Sequence, residues 1–182
     1  MQLTFQHDPR GESLTLIQRS DGAVFTLSSY SRKHRVPHDL AHAVTERELG
    51  LADGVFGCIA AGVVFDSMRQ IEGRRRHDAK LRSTRVLKAA GNLGVAEVLS
   101  GILHQAVEKG QATPYVRARE GWGIIQQDPY PYRDADIDRA TNTLRELGEQ
   151  WQASSAPLEF AWPDSLRATG PSGRQRKSRD AS

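Results

Sequence analysis

Apolar and polar residues alternate at the start of the chain. Leu3 and Phe5 are set between Gln2, Thr4 and Gln6, a period of two that predicts a half-buried strand. Residues 12–19 and 23–29 continue as strands on either side of Ser20-Asp21-Gly22. Asp-Gly suits a two-residue hairpin turn, because both central positions want positive φ. On that reading Ser20 faces Ala23, Gln18 faces Phe25, Leu16 faces Leu27 and Leu14 faces Ser29. One face of the hairpin then carries Leu14, Leu16, Phe25 and Leu27.

The period then changes to that of helices. Pro37 suits a helix start and Gly50 the position just past an end, so residues 38–49 are expected to be helical. Residues 55–68 are apolar almost all round and contain Gly57, Ala60, Ala61 and Gly62. They read as one buried central helix, with Cys58 a packed, inert thiol. A basic helix is expected over residues 77–90 and another helix over residues 93–109. On the latter, Val95, Leu99, Ile102, Leu103 and Ala106 share a broad face. Glu97, His104 and Glu108 fall opposite, so His104 is expected to be exposed and paired with Glu108 one turn on.

Residues 111–132, rich in Pro, Gly and aromatics, read as a long ordered loop, in which Trp122, Tyr130 and Tyr132 either cap the core or line a pocket. A last helix over residues 134–152 has a stripe of Ile137, Ala140, Leu144, Leu147 and Trp151. Leu158, Phe160 and Trp162 then alternate as a final strand. The expected architecture is a single α+β domain over residues 1–163. An N-terminal antiparallel β-meander of about three strands, with the C-terminal strand available to join it, packs on a bundle of about four to five helices.

Composition narrows the class. With 182 residues, 38% hydrophobic, the chain is expected to be one soluble domain. One cysteine excludes an internal disulfide framework, and the N-terminus lacks the basic start and apolar stretch of a secretory leader, so the expected location is cytoplasmic. The longest apolar run, residues 55–65, is too short to span a bilayer. The formal charge of +3 comes from residues 164–182, where Arg167, Arg174, Arg176, Lys177 and Arg179 outnumber Asp164 and Asp180. That segment has no large apolar residue after Leu166 and is expected to be a disordered basic tail. A second basic run holds Arg74, Arg75, Arg76, Lys80, Arg82, Arg85 and Lys88 against Asp78. Tail and run are the places where nucleic acid or an anionic surface could bind; the plainer reading is a solvated basic face.

One pattern carries chemistry. His38 and His42 are four apart on an expected helix, so both imidazoles project from one face, with Asp39 between them in sequence. Two such histidines can hold a zinc ion, and a neighbouring carboxylate, here Asp39, can activate its water. Asp39 also suits a helix start. A zinc site needs a third ligand. Asp66, at the end of the expected central helix, is the preferred candidate. Glu46 is the alternative third metal ligand; it lies about 12 Å beyond His38 along a straight helix, too far to share one ion with it there, and could also pair with His42. His34 and His77 are further options. The same residues also fit a hydrogen-bonded structural pair or a metal-free acid–base pair.

The stretch Val36-Pro37-His38-Asp39-Leu40-Ala41-His42, with Glu46 and then residues 50–57, resembles a group of small uncharacterised bacterial proteins over roughly the first 70 residues. That resemblance implies no activity. The five residues 38–42 are similar to the His-Glu-x-x-His motif of zincins and depart from it at Asp39. Two functions follow as expectations: a non-catalytic binding or interaction protein, or a metal-dependent hydrolase-like enzyme built on His38, Asp39 and His42.

Overall fold

Every strand pairing in the sheet is antiparallel, and the first and last strands in sequence are neighbours in it. The computed structural model describes residues 1–8, 13–29, 34–74 and 77–169. The strands are β1 (Gln2–His7), β2 (Ser13–Gln18), β3 (Val24–Ser29), β4 (Met68–Glu72) and β5 (Leu158–Ala161), in the order β4-β3-β2-β1-β5. The helices are α1 (His38–Leu49), α2 (Val55–Ala60), α3 (Ala79–Ala89), α4 (Leu93–Glu108), α5 (Tyr115–Ile125) and α6 (Asp134–Ala153). The fold is therefore α+β. The C-terminal strand does return to the sheet: Leu3 pairs with Phe160 and Phe5 with Leu158. Leu3, Phe5, Ile17, Phe25 and Phe160 join Leu40, Val44, Leu99, Leu103, Ile137 and Leu144 in one core.

The hairpin register differs from expectation by one residue. Ile17 pairs with Phe25, Leu16 with Thr26 and Thr15 with Leu27. Among the described residues, only glycines have positive φ, so Asp21 does not adopt the conformation a two-residue turn demands. Instead Gly22, at φ 80°, closes a three-residue loop: its N–H donates to Arg19 O and the Arg19 N–H to Ala23 O. One extra loop residue turns every β2 side chain to the other face. Ser13, Thr15 and Ile17 are buried, while Leu14 and Leu16 are only partly covered.

The expected central helix is also corrected. It stops at Ala60, where Gly62, at φ 105°, ends it. The Val63 N–H bonds Cys58 O and the Gly62 N–H bonds Ile59 O, the paired closure that left-handed glycines make at helix ends. The chain then turns, and β4, which shares only Met68 with the expected helix, pairs with β3. Gly50 ends α1 in the same way. The expected loop over residues 111–132 contains α5. Gly121 is required there, since a Cβ would lie 2.7 Å from Ile102 Cδ1 and 2.8 Å from Val98 Cγ1. Trp122, Tyr130 and Tyr132 meet edge to face over the core, and the Trp122 indole donates to Asp128 O.

Packing continues past Pro163. The Ala168 N–H donates to Gly57 O, and Ala168 is buried with Cys58, Ala61, Val63 and Val86. Burial, with Glu46 and Asp53 nearby, pushes the Cys58 thiol up to about 12. The tail over residues 170–182, with Arg174, Arg176, Lys177 and Arg179, lies outside the described residues, as do Arg75 and Arg76. Among the described residues no single helix is long and apolar enough to cross a membrane.

Candidate metal centre

The junction between α1 and α4 positions the site. Asp53, in the turn after α1, accepts from the Gly91 N–H (2.8 Å) and from the Asn92 amide (2.6 Å), at the threshold of α4. This clip holds the start of α4 beside α1. Glu97, one turn into α4, then stands over the histidine face of α1. Its carboxylate lies 3.2 Å from His42 Nε2 and 3.8 Å from His38 Nε2. The two imidazole rings meet edge to face with centroids 4.8 Å apart. His38, His42 and Glu97 each offer one ligand atom, and these atoms lie within 4.8 Å of one another. His42 is buried, His38 partly so, and the Glu97 side chain is 66% exposed, so the group opens to solvent on the α4 side.

Behind His42 stands Glu46, fully buried. Its Oε1 lies 3.3 Å from His42 Nδ1 and accepts the Val55 N–H, while Oε2 accepts the Phe56 N–H, both at 2.9 Å. Gly54 makes that approach possible, because a Cβ would lie 2.5 Å from Glu46 Cδ. Glu46 therefore pairs with His42 and braces it from behind; it belongs to neither metal-capable group among the described residues, so it is not brought in as the expected alternative ligand. A neutral His42 that donates from Nδ1 to Glu46 keeps its lone pair at Nε2, facing Glu97.

Charge follows geometry. Burial opposes a proton on His42, but Glu46 and Glu97 outweigh it and raise the imidazole to about 9. Burial, with His42 and His104 alongside, holds His38 down at about 4. The hydrogen bond to His42 lowers the Glu97 carboxyl. Of the two rings, His42 is the one whose proton the neighbouring glutamates favour, while burial raises the Glu46 carboxyl.

The other expected site residues fall elsewhere. The Asp39 carboxylate accepts from Thr15 Oγ1 at 3.2 Å, against β2, and burial raises its pKa. Asp66 is exposed in the turn before β4, and His77 is exposed before α3; neither belongs to a metal-capable group among the described residues. Asp66 was placed near the site only by assuming that the helix ran to residue 68. His34 does enter the region, in a second group with His104 and Glu108. His104 is 5% exposed, against expectation: its Nε2 donates to Val36 O at 2.8 Å under the segment that leads into α1. The expected pairing with Glu108 is present at 3.5 Å.

In the basic run, the Arg82 guanidinium donates to Ala61 O, and Arg82, Arg85 and Arg167 line a surface pocket of about 600 Å³. The Arg82 contact is structural, holding α3 to the end of α2.

Compared with protein-family models, curated proteins and solved structures, the chain matches none.

Proposed function

We propose that the chain is a metal-binding protein in which His38, His42 and Glu97 hold one divalent first-row cation, zinc before others. The observation that supports this most is the brace behind His42. A histidine whose rear nitrogen is fixed by a buried carboxylate, while its front nitrogen meets a second histidine and a glutamate, has the two-shell build of a metal site. Two imidazoles and one carboxylate suit zinc, with a fourth position left for water or another ligand.

The proposal is binding rather than turnover. A hydrolase of zincin type needs a carboxylate beside the metal-bound water, and Asp39 is engaged with Thr15 instead. The test is zinc titration of the metal-depleted full chain, purified without a histidine tag. Saturable binding that Glu97→Gln weakens about tenfold or more is expected. Unchanged affinity in that variant, or no binding, would end the reading.

A further inference from the structure

We infer that a second cation site, formed by His34, His104 and Glu108, adjoins the first, so that the protein carries a two-metal centre. The inference rests on reading His38, His42 and Glu97 as a cation site. The ligand atoms of His34, His104 and Glu108 lie within 4.8 Å of one another, and the two groups share no residue. Each can therefore close on its own cation. They are also neighbours. The His104 ring is 5.4 Å from that of His38, and the His34 ring is 4.8 Å from that of His104. With His42 this makes a continuous row of four imidazoles, four of the six histidines in the chain.

His104 and Glu108 already have a structural task. Glu108 Oε1 accepts the Val36 N–H at 2.6 Å, and His104 Nε2 donates to Val36 O. Together they clamp one peptide segment at the start of α1. The clamp leaves donor capacity over. A neutral His104 with its proton on Nε2 keeps a lone pair on Nδ1, while its 3.5 Å approach to Glu108 Oε1 is made through Nε2. A backbone carbonyl behind a ligand histidine is a common outer support. Glu108 Oε2 is held only by an ion pair with Arg35 Nε at 4.0 Å, too long for a hydrogen bond, which a cation in the site would have to displace. The segment that the clamp fixes carries His34, which is exposed and set edge-on to His104. Two ligands are thus ordered by the clamp, and the third rides on what is clamped.

Such a pair of imidazole-rich sites would take borderline divalent cations such as zinc or cobalt, with the harder manganese bound more weakly. The test is equilibrium loading of the metal-depleted full chain with zinc, counted by elemental analysis after removal of free metal. The expected result is two zinc ions per chain, one in His34→Ala, one in Glu97→Gln and none in the double variant. His77→Ala, altered at a residue that belongs to neither group, keeps two. Manganese-loaded protein is expected to give a spin-coupled resonance that His34→Ala abolishes. One zinc per chain, lost in Glu97→Gln and retained in His34→Ala, overturns the inference and leaves the first site standing. No zinc at all overturns both.

Discussion

Two groups, each of two histidines and a glutamate, lie side by side along the seam where α4 packs on α1, and they are built differently. In His38, His42 and Glu97, the brace comes from a buried side chain, Glu46, which takes no other role toward the cation face. In His34, His104 and Glu108, two members hold the peptide of Val36 as well. The first group is organised from behind by a buried carboxyl side chain, the second by a main-chain clamp. An inventory of ligand types cannot separate them; the partners of the remaining atoms can. The first group should bind more tightly, because its ligands have less competing hydrogen bonding.

The comparison is broken most severely at Glu46. Glu46→Ala leaves the Val55 and Phe56 N–H groups without their acceptor and removes the brace on His42. A loss on the order of 3–5 kcal/mol is expected by urea denaturation. Glu46→Gln, which keeps the size, is expected to weaken first-site zinc affinity about 10–100-fold while leaving the second site intact. An affinity that does not move would mean that the brace is structural alone.

Gly54→Ala comes next. Its backbone, at φ −72°, accepts alanine, so the cost lies in the contact with Glu46. Destabilisation of about 1–3 kcal/mol is expected, together with weaker zinc binding, checked by thermal melts with and without zinc.

How much of this was legible in the sequence follows from how local each feature is. The four-residue spacing of His38 and His42 survives folding, because a helix dictates it. Glu97 escaped because it belongs to another helix and sat on what reads as a solvated face. A signal was present: Glu97, His104 and Glu108 form one polar stripe on α4, matching the stripe of His38, His42 and Glu46 on α1. Two such stripes in neighbouring helices can face each other, and burying His104 is the result. Glycine shows the same limit. Gly50 and Gly62 close their helices alike, yet Gly62 sits inside an unbroken apolar run that masks the stop. The hairpin failed by one residue because Asp-Gly serves both two- and three-residue loops.

The pH response of the metal-free protein sharpens the contrast within the first group. His42 is raised to about 9, so its contribution to stability is complete below about pH 6.5 and is lost as pH climbs toward 9. His38 is depressed to about 4, so its contribution holds above about pH 6.5 and is lost as pH falls toward 4. Urea midpoints across this range should show His42→Gln flattening the alkaline limb and His38→Gln the acid limb. Matching curves for the two variants would contradict the assignment of the proton.

The smallest effect is expected at Asp39. Asp39→Asn keeps an acceptor for Thr15 and removes only a charge that acts on His42 without bonding to it, so zinc affinity should stay within about threefold. A large loss, measured by the same titration, would bring Asp39 back into the site.

The most direct measurement is anomalous diffraction from crystals loaded with one equivalent of zinc. The expected peak lies about 2.0–2.1 Å from a nitrogen of His38 and a nitrogen of His42, with a Glu97 oxygen completing the protein ligands. A fully occupied peak elsewhere, or none between these three side chains, would contradict it.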